Sequence, residues 1–191
     1  MTRRNSLKVF NSSDREAMTV RRVHKGDATR LREIRLRALR EAPDAFSSWF
    51  EREAEYPPEV WERRAAESEA AVQSTVFVAE DGERWLAIAG GYFPSADREA
   101  ATLWGLWVDP AVRRRGIAGR LIEAVADWAR GRGVSRLELS VTDRARGAAA
   151  LYRGLGFTET GERRPLASQP SVTEIFLVRP LEPKMAPPPR Q

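Results

Sequence analysis

Hydrophobic and polar positions along this chain follow two periods, and the changes between them mark the elements. From Met18 the run MTVRRV has the short period of a strand. Between Asp27 and Arg40 the period lengthens. Leu31, Ile34 and Ala38 form one apolar stripe of a helix, with Asp27 placed to cap it and Pro43 to stop it. A second helical stretch is expected over Pro58–Ser68, with Pro58 in its first turn and Trp61 on its buried side. The period then returns to two. Thr75–Glu80, Trp85–Phe93 and Ala100–Val108 read as strands; Asp81-Gly82 turns between the first pair and Asp109-Pro110 ends the third.

Gly116–Arg132 is the clearest helix. Ile117, Leu121, Val125 and Trp128 share one face, Arg120, Glu123, Asp127 and Arg130 the other, and Gly133 closes it. Arg136–Val141 alternates with Leu137, Leu139 and Val141 on one side. A short helix over Arg146–Leu155 and strands near Phe157–Glu162 and Thr173–Val178 follow. The order is β-α-α-β-β-β-α-β-α-β-β. A helical crossover after Ala100–Val108 implies an α/β (α+β) fold whose mixed sheet contains a parallel pair.

Composition narrows the function. At 191 residues with 42% apolar positions, the chain can bury one domain's core and is not disordered as a whole. No apolar run is long enough to span a membrane, and Met1–Val20 has no apolar signal-like segment, so a cytoplasmic protein is expected. Residues 1–17 read as a flexible extension, residues 18–181 as the folded domain and residues 182–191, with three consecutive prolines, as a disordered tail. The absence of cysteine excludes disulfides, thiolate metal sites and a cysteine nucleophile. The single histidine, His24, reads as a surface residue and leaves little for a metal cluster or a serine triad, so no metal is expected. The formal net charge of +5 is carried almost wholly by arginine, interleaved with acids along the helices rather than gathered in a stripe. That argues against a nucleic-acid partner.

The segment Leu106–Ala118, LWVDPAVRRRGIA, carries the candidate chemistry. A strand ends, a proline breaks it, three arginines follow, and Gly116 opens an amphipathic helix. The first N–H groups of a helix lack internal partners and sit at its positive end. Gly116, Ala118 and Gly119 admit a ligand close to the backbone, and Arg113, Arg114, Arg115 and Arg120 add charge, so the turn suits a pyrophosphate; taken alone, an arginine-rich turn before a helix reads more readily as a solvated loop. The pattern is neither the Gly-x-Gly-x-x-Gly dinucleotide signature nor a P-loop. Downstream lies Leu151-Tyr152-Arg153-Gly154-Leu155-Gly156-Phe157.

These two segments together resemble the GNAT superfamily of N-acetyltransferases. Arg113-x-x-Gly116-x-Ala118, after Val108-Asp109-Pro110, is similar to that family's acyl-CoA signature. Leu151-Tyr152-x-x-x-Gly156-Phe157 resembles its later motif, one helix and one strand away. Leu31-Arg32-x-Ile34-Arg35-Leu36-x-Ala38-Leu39 with Pro43-Asp44-Ala45-Phe46 resembles the first helix and substrate-side loop of many bacterial members. The resemblance covers about residues 18–180.

It implies a central, mostly antiparallel sheet of six or seven strands, flanked by about four helices and parted at a parallel pair, Ala100–Val108 and Arg136–Val141. The pantetheine arm of acetyl-CoA would lie in the gap against the backbone of Leu106, Trp107 and Val108, and its pyrophosphate on Arg113–Arg120, including Ile117. An acceptor amine would attack the acetyl carbonyl directly, with no acyl-enzyme, and Tyr152 would serve the departing thiolate as general acid. The alternative reading of Tyr152 is a core ring with a satisfied hydroxyl. An asparagine common in the family is replaced by Ala145. No base is assigned. Glu51, Glu53, Glu55 and Glu80 read first as surface acids, which leaves a water relay. Phe46, Trp49 and Phe50 are expected at the acceptor, a small-molecule or protein amine, with Trp61 beside them. Trp85, Trp104, Trp107 and Trp128 are expected in the core. Family members often pair, so a homodimer is compatible. The competing classes are a non-catalytic acyl-CoA sensor and an arginine-rich nucleic-acid adaptor.

Overall fold

Strand segments with one apolar and one polar face must cover the apolar face, and this chain covers both faces of a single sheet with helices. The computed structural model describes residues 18–94, 99–167 and 169–182. The expectations for residues 1–17 and for the tail beyond Glu182 lie outside them. The strands are β1 (Met18–Arg22), β2 (Ser74–Asp81), β3 (Arg84–Tyr92), β4 (Ala100–Val108), β5 (Arg136–Thr142), β6 (Thr158–Leu166) and β7 (Gln169–Pro180). The α-helices are α1 (Ala28–Glu41), α2 (Phe50–Ala54), α3 (Pro58–Ala70), α4 (Ile117–Arg130) and α5 (Arg146–Gly154). The sheet order is β1-β2-β3-β4-β5-β7-β6. β4–β5 is the parallel pair and its other neighbours are antiparallel.

The expected elements are present, with ends displaced by a few residues. One was missed. α2 is only five residues long, too short to show a helical period. Asp27 does not cap α1 through its side chain. Its carboxylate instead accepts from the His24 N–H at 2.9 Å and pairs with Arg21 at 2.6 Å, because a short 3-10 turn at Lys25–Asp27 precedes the helix. His24 is exposed, as expected.

The stripe Ile117, Leu121, Val125 and Trp128 puts α4 on one face of the sheet, against Ala79, Leu103, Leu137 and Leu177. Leu31, Ile34 and Leu39 of α1 and Trp61 of α3 cover the other face, over Val76, Val78, Ile88 and Trp107. The tandem Gly90-Gly91 of β3 serves both layers. A Cβ on Gly90 would collide with the Trp104 ring, and one on Gly91 would lie 2.7 Å from Val125 and 2.9 Å from Trp128. Two rings thus approach the same point of the sheet from opposite sides. Among the described residues no helix is long and apolar enough to cross a membrane.

Candidate active site

The parallel seam is short. β4 and β5 pair only through Ala100–Arg136, Ala101–Leu137 and Thr102–Glu138. Beyond Thr102 the strands part. β4 bulges there: Ile88 faces Trp107 but Gly90 faces Trp104, so an extra β4 residue is accommodated, and Gly105 takes φ +65°, a left-handed conformation that favours glycine. β5 stays fully paired to β7 on its far side, from Arg136–Pro180 to Thr142–Glu174. Each parted strand therefore leaves backbone groups facing the gap without a sheet partner.

The gap holds a cavity of about 80 Å³. Leu103, Gly105 and Leu106 of β4, Ser140 and Thr142 of β5 and Tyr152 of α5 are among its walls. Ala145 lines it too, where a longer polar side chain would intrude. The volume suits a narrow, extended chain and not a nucleotide.

Tyr152 of α5 lines the gap together with Ala148 and with Gly105 and Leu106 of β4. Its ring meets Phe157 edge-on, with centroids 5.7 Å apart, and is 7% exposed. Among the described residues its hydroxyl makes no hydrogen bond. Burial pushes the phenol well above its ordinary acidity range, so it is protonated at every physiological pH. The group can donate a hydrogen bond into the cavity.

The turn after β4 is tightly held. Asp109 accepts from Ala111 N–H at 3.0 Å and from Arg84 at 2.9 Å. Burial opposes ionisation of Asp109 most strongly, but the Ala111 N–H and the Arg84 guanidinium outweigh it and keep the carboxyl below the usual range. Arg113 folds back, its Nε donating to the Val108 carbonyl at 2.9 Å and its Nη2 to Glu41 at 2.6 Å. Glu41 also accepts from the indole of Trp107 at 2.9 Å. Arg120 points to the Met18 carbonyl at 3.1 Å. Arg113 and Arg120 thus brace the turn, and the Val108 carbonyl already has a partner. Arg114 and Arg115 are exposed, and Arg114 takes φ +65°, uncommon outside glycine. Gly116 follows at φ +78°, with open space where a Cβ would stand. The first helix-internal bond of this turn is Arg120 N–H to the Gly116 carbonyl at 3.2 Å, which leaves the N–H groups of Ile117, Ala118 and Gly119 available. Gly119 lies against Leu155 at the end of α5, so this helix start and the cavity are neighbours.

On the acceptor side the structure separates the expected aromatics. Phe46 lines the gap, Trp49 is 44% exposed, and Phe50 lies under Arg40 at 4.3 Å; neither Trp49 nor Phe50 lines the gap. Trp85, Trp107 and Trp128 are core residues, and Trp104 is half-buried against the core. A second cavity of about 310 Å³ lies between α1, α3 and strands β2–β4, with Trp61 and Trp104 among its walls. Trp104 lines both cavities and so partitions them.

The reading of Glu53 as a surface acid is overturned. Its carboxylate is 2% exposed and clamped by Arg35 at 2.7 Å and Arg64 at 3.1 Å. Burial is the largest single influence and opposes its charge, but the two guanidiniums and Ser48 together hold it below the usual carboxylate range. A buried anion so paired is a poor base. Glu51 and Glu55 are exposed, and Glu80 is engaged by Arg21 and the Trp85 indole. Nothing in the linear spacing signals the Arg35–Glu53–Arg64 cluster, whose members come from three helices.

A mixed sheet parted at its parallel pair, with a buried tyrosine lining the gap and the start of α4 beside it, is the architecture that known proteins can be set against. Residues 36–157 match the model of the Acetyltransferase (GNAT) family, and the chain belongs to that family. It is 34% identical over 96 residues to the [ribosomal protein bS18]-alanine N-acetyltransferase of Escherichia coli, covering 46% of this chain and 65% of that one. It is also 34% identical over 92 residues to human N-acetyltransferase 8, covering 47% of this chain and 40% of the relative. The chain thus spans between 40% and 65% of the length of these curated relatives. Among solved structures, a GNAT acetyltransferase from Streptococcus pneumoniae shares the fold, with TM-score 0.76, 19% identity and coverage of 86% of this chain and 99% of that one. So does an N-acetyltransferase from Thermoplasma acidophilum in complex with coenzyme A, with TM-score 0.70, 13% identity and coverage of 85% and 98%.

Proposed function

We infer that the protein is an acetyl-CoA-dependent N-acetyltransferase that passes an acetyl group directly to a primary amine. The observation that carries this reading is the gap between β4 and β5, with unpaired backbone on both walls and Tyr152 among its lining residues. The residues present fit the co-substrate. Free edges of β4 and β5 suit the amides of a pantetheine arm, and the available N–H groups of Ile117–Gly119, with Arg114 and Arg115, suit a pyrophosphate. The solved relative with coenzyme A and the names of the curated relatives support the same class.

In this reading the acetyl C–S bond breaks as a C–N bond forms. Tyr152 donates its hydroxyl hydrogen to the departing sulfur. A phenol this weakly acidic stabilises a thiolate chiefly by hydrogen bonding, because a thiol with a pKa near 8.5 holds a proton less tightly than the buried phenol does. Among the described residues no carboxylate lines the gap, and in this reading the ammonium proton leaves through water. The β4 bulge holds the strand's backbone open toward the reacting end.

Thermal unfolding with acetyl-CoA, CoA and ATP side by side tests this. A ligand at about 100 times its Kd stabilises by roughly 2.7 kcal/mol, a rise of about 5–10 °C for a domain of this size. The expected result is a shift with both CoA species and none with ATP. No shift with either CoA species overturns the reading.

A further inference from the structure

The 310 Å³ cavity beside the gap is lined by Arg35, whose guanidinium keeps a spare donor just behind the wall. Glu53 takes the Nε and Nη2 of Arg35, leaving Nη1 buried with no hydrogen-bond partner. Arg35 is 7% exposed, stacked between Phe46 at 4.8 Å and Trp104 at 5.8 Å. Phe46 lines the gap and Trp104 lines both cavities, so this guanidinium stands at the partition between them. Its Nη1 lies 3.7 Å from where a Cβ on Gly105 would be, at the bulge. Arg64 gives Nη1 to the same carboxylate at 3.1 Å, lies over Trp61 at 4.9 Å, and also lines the larger cavity. Two guanidiniums therefore share one carboxylate, and the cluster carries one excess positive charge. An orphaned buried donor carries a desolvation penalty that an incoming acceptor relieves. The remaining walls are mainly apolar and aromatic, Leu31, Ile88, Trp61 and Trp104 among them. The acid at the rim, Glu67, is exposed and lies 4.0 Å from Arg63.

We propose that this cavity takes the acceptor, and that the acceptor is a free amino acid with an apolar or aromatic side chain, its carboxylate held by Arg35 and Arg64. The proposal rests on the acetyltransferase reading above and adds the substrate class to it. A carboxylate on the Arg35 guanidinium puts the amine one carbon away, at the partition that faces the gap. The side chain then fills the space between Trp61 and Trp104. At about 310 Å³ the cavity stands at the small end of ligand pockets, suited to an amino acid rather than a large polycation. The excess positive charge opposes polyamines and favours the neutral amine needed for attack.

The test compares phenylalanine, leucine, phenylalaninamide and spermidine on the whole chain. Thiol release from acetyl-CoA is one readout, and calorimetric binding with CoA in place is the other. The expected result is that both amino acids bind and are acetylated, with kcat/KM for phenylalanine about tenfold or more above its amide, the loss of a charged hydrogen bond. Arg64→Gln narrows that ratio at least threefold through KM, and Arg64→Lys restores most of it. Equal use of acid and amide, a preference for spermidine, or no binding of either amino acid while acetyl-CoA binds overturns the acceptor class and leaves acetyl transfer standing. Failure to bind acetyl-CoA overturns the reading beneath both.

Discussion

In the proposed reaction, position is what gives Tyr152 its role. Burial keeps the phenol protonated while Tyr152 lines the gap, so in that reaction it would donate where charge develops on the departing group. Tyr152→Phe should lower kcat at least tenfold with KM for acetyl-CoA within about threefold and an unchanged circular dichroism spectrum. A smaller drop means that the ring alone matters. Because burial raises the phenol's pKa, wild-type activity should show no basic limb from Tyr152 below about pH 10. Ser68 is a structural counterpart. Its hydroxyl accepts from Val76 N–H at 2.9 Å and lies 3.1 Å from the Val23 carbonyl, tying α3 to the seam of β1 and β2. Ser68→Ala orphans a buried N–H and should cost about 1–3 kcal/mol in urea unfolding with the m-value unchanged.

At the scale of elements, linear spacing predicts what is contiguous and misses what is assembled. The strand-turn-helix around Gly116 and the Leu151–Phe157 segment were legible because each motif lies within one run of chain. The bulge was not, since Gly105 stands in an unbroken apolar run and only the register against β3 reveals the extra residue. The Arg35–Glu53–Arg64 cluster was hidden for a related reason: α2, which carries Glu53, is too short for its buried face to show in sequence. Arg113 and Arg120 read as ligand-facing charges, but spacing cannot tell a brace from a contact. The paired glycines of β3 give a prediction at this level. Gly91→Ala forces a methyl against Val125 and Trp128 of α4 and should destabilise by roughly 1–3 kcal/mol. Gly90→Ala displaces Trp104 instead, and should disturb acceptor KM more than acetyl-CoA KM. Steady-state kinetics on the two variants separates the faces.

For the whole molecule, the balance of charge and burial sets the acid limit. Glu53 is held ionised below its unfolded-state pKa of about 4.3. Its contribution is complete above that value and is lost as pH falls through the lower folded-state one. Glu53→Gln leaves two partly buried guanidiniums without their anion and should lower stability at pH 7 by about 3 kcal/mol. The wild-type advantage should shrink in melts taken below about pH 4. An advantage that persists unchanged there would mean that the carboxylate's charge is not what holds the three helices.

The three residue pairs between β4 and β5 have a mechanical consequence. Strands β1–β4 and β5–β7 are two plates stitched at one end, with α4 as backing cloth across them. Such an assembly is a clasp: without its insert the open ends can breathe, and with it the plates are sewn along the whole edge. The gap-facing amide hydrogens of 103–108 and 139–142, those not bonded to β3 or β7, should therefore exchange quickly in the free protein and slow markedly with CoA, while those of β2 and β7 hardly change. A co-substrate that completes the sheet is spent and replaced every cycle, so the protein would lose and regain part of its own rigidity with each turnover.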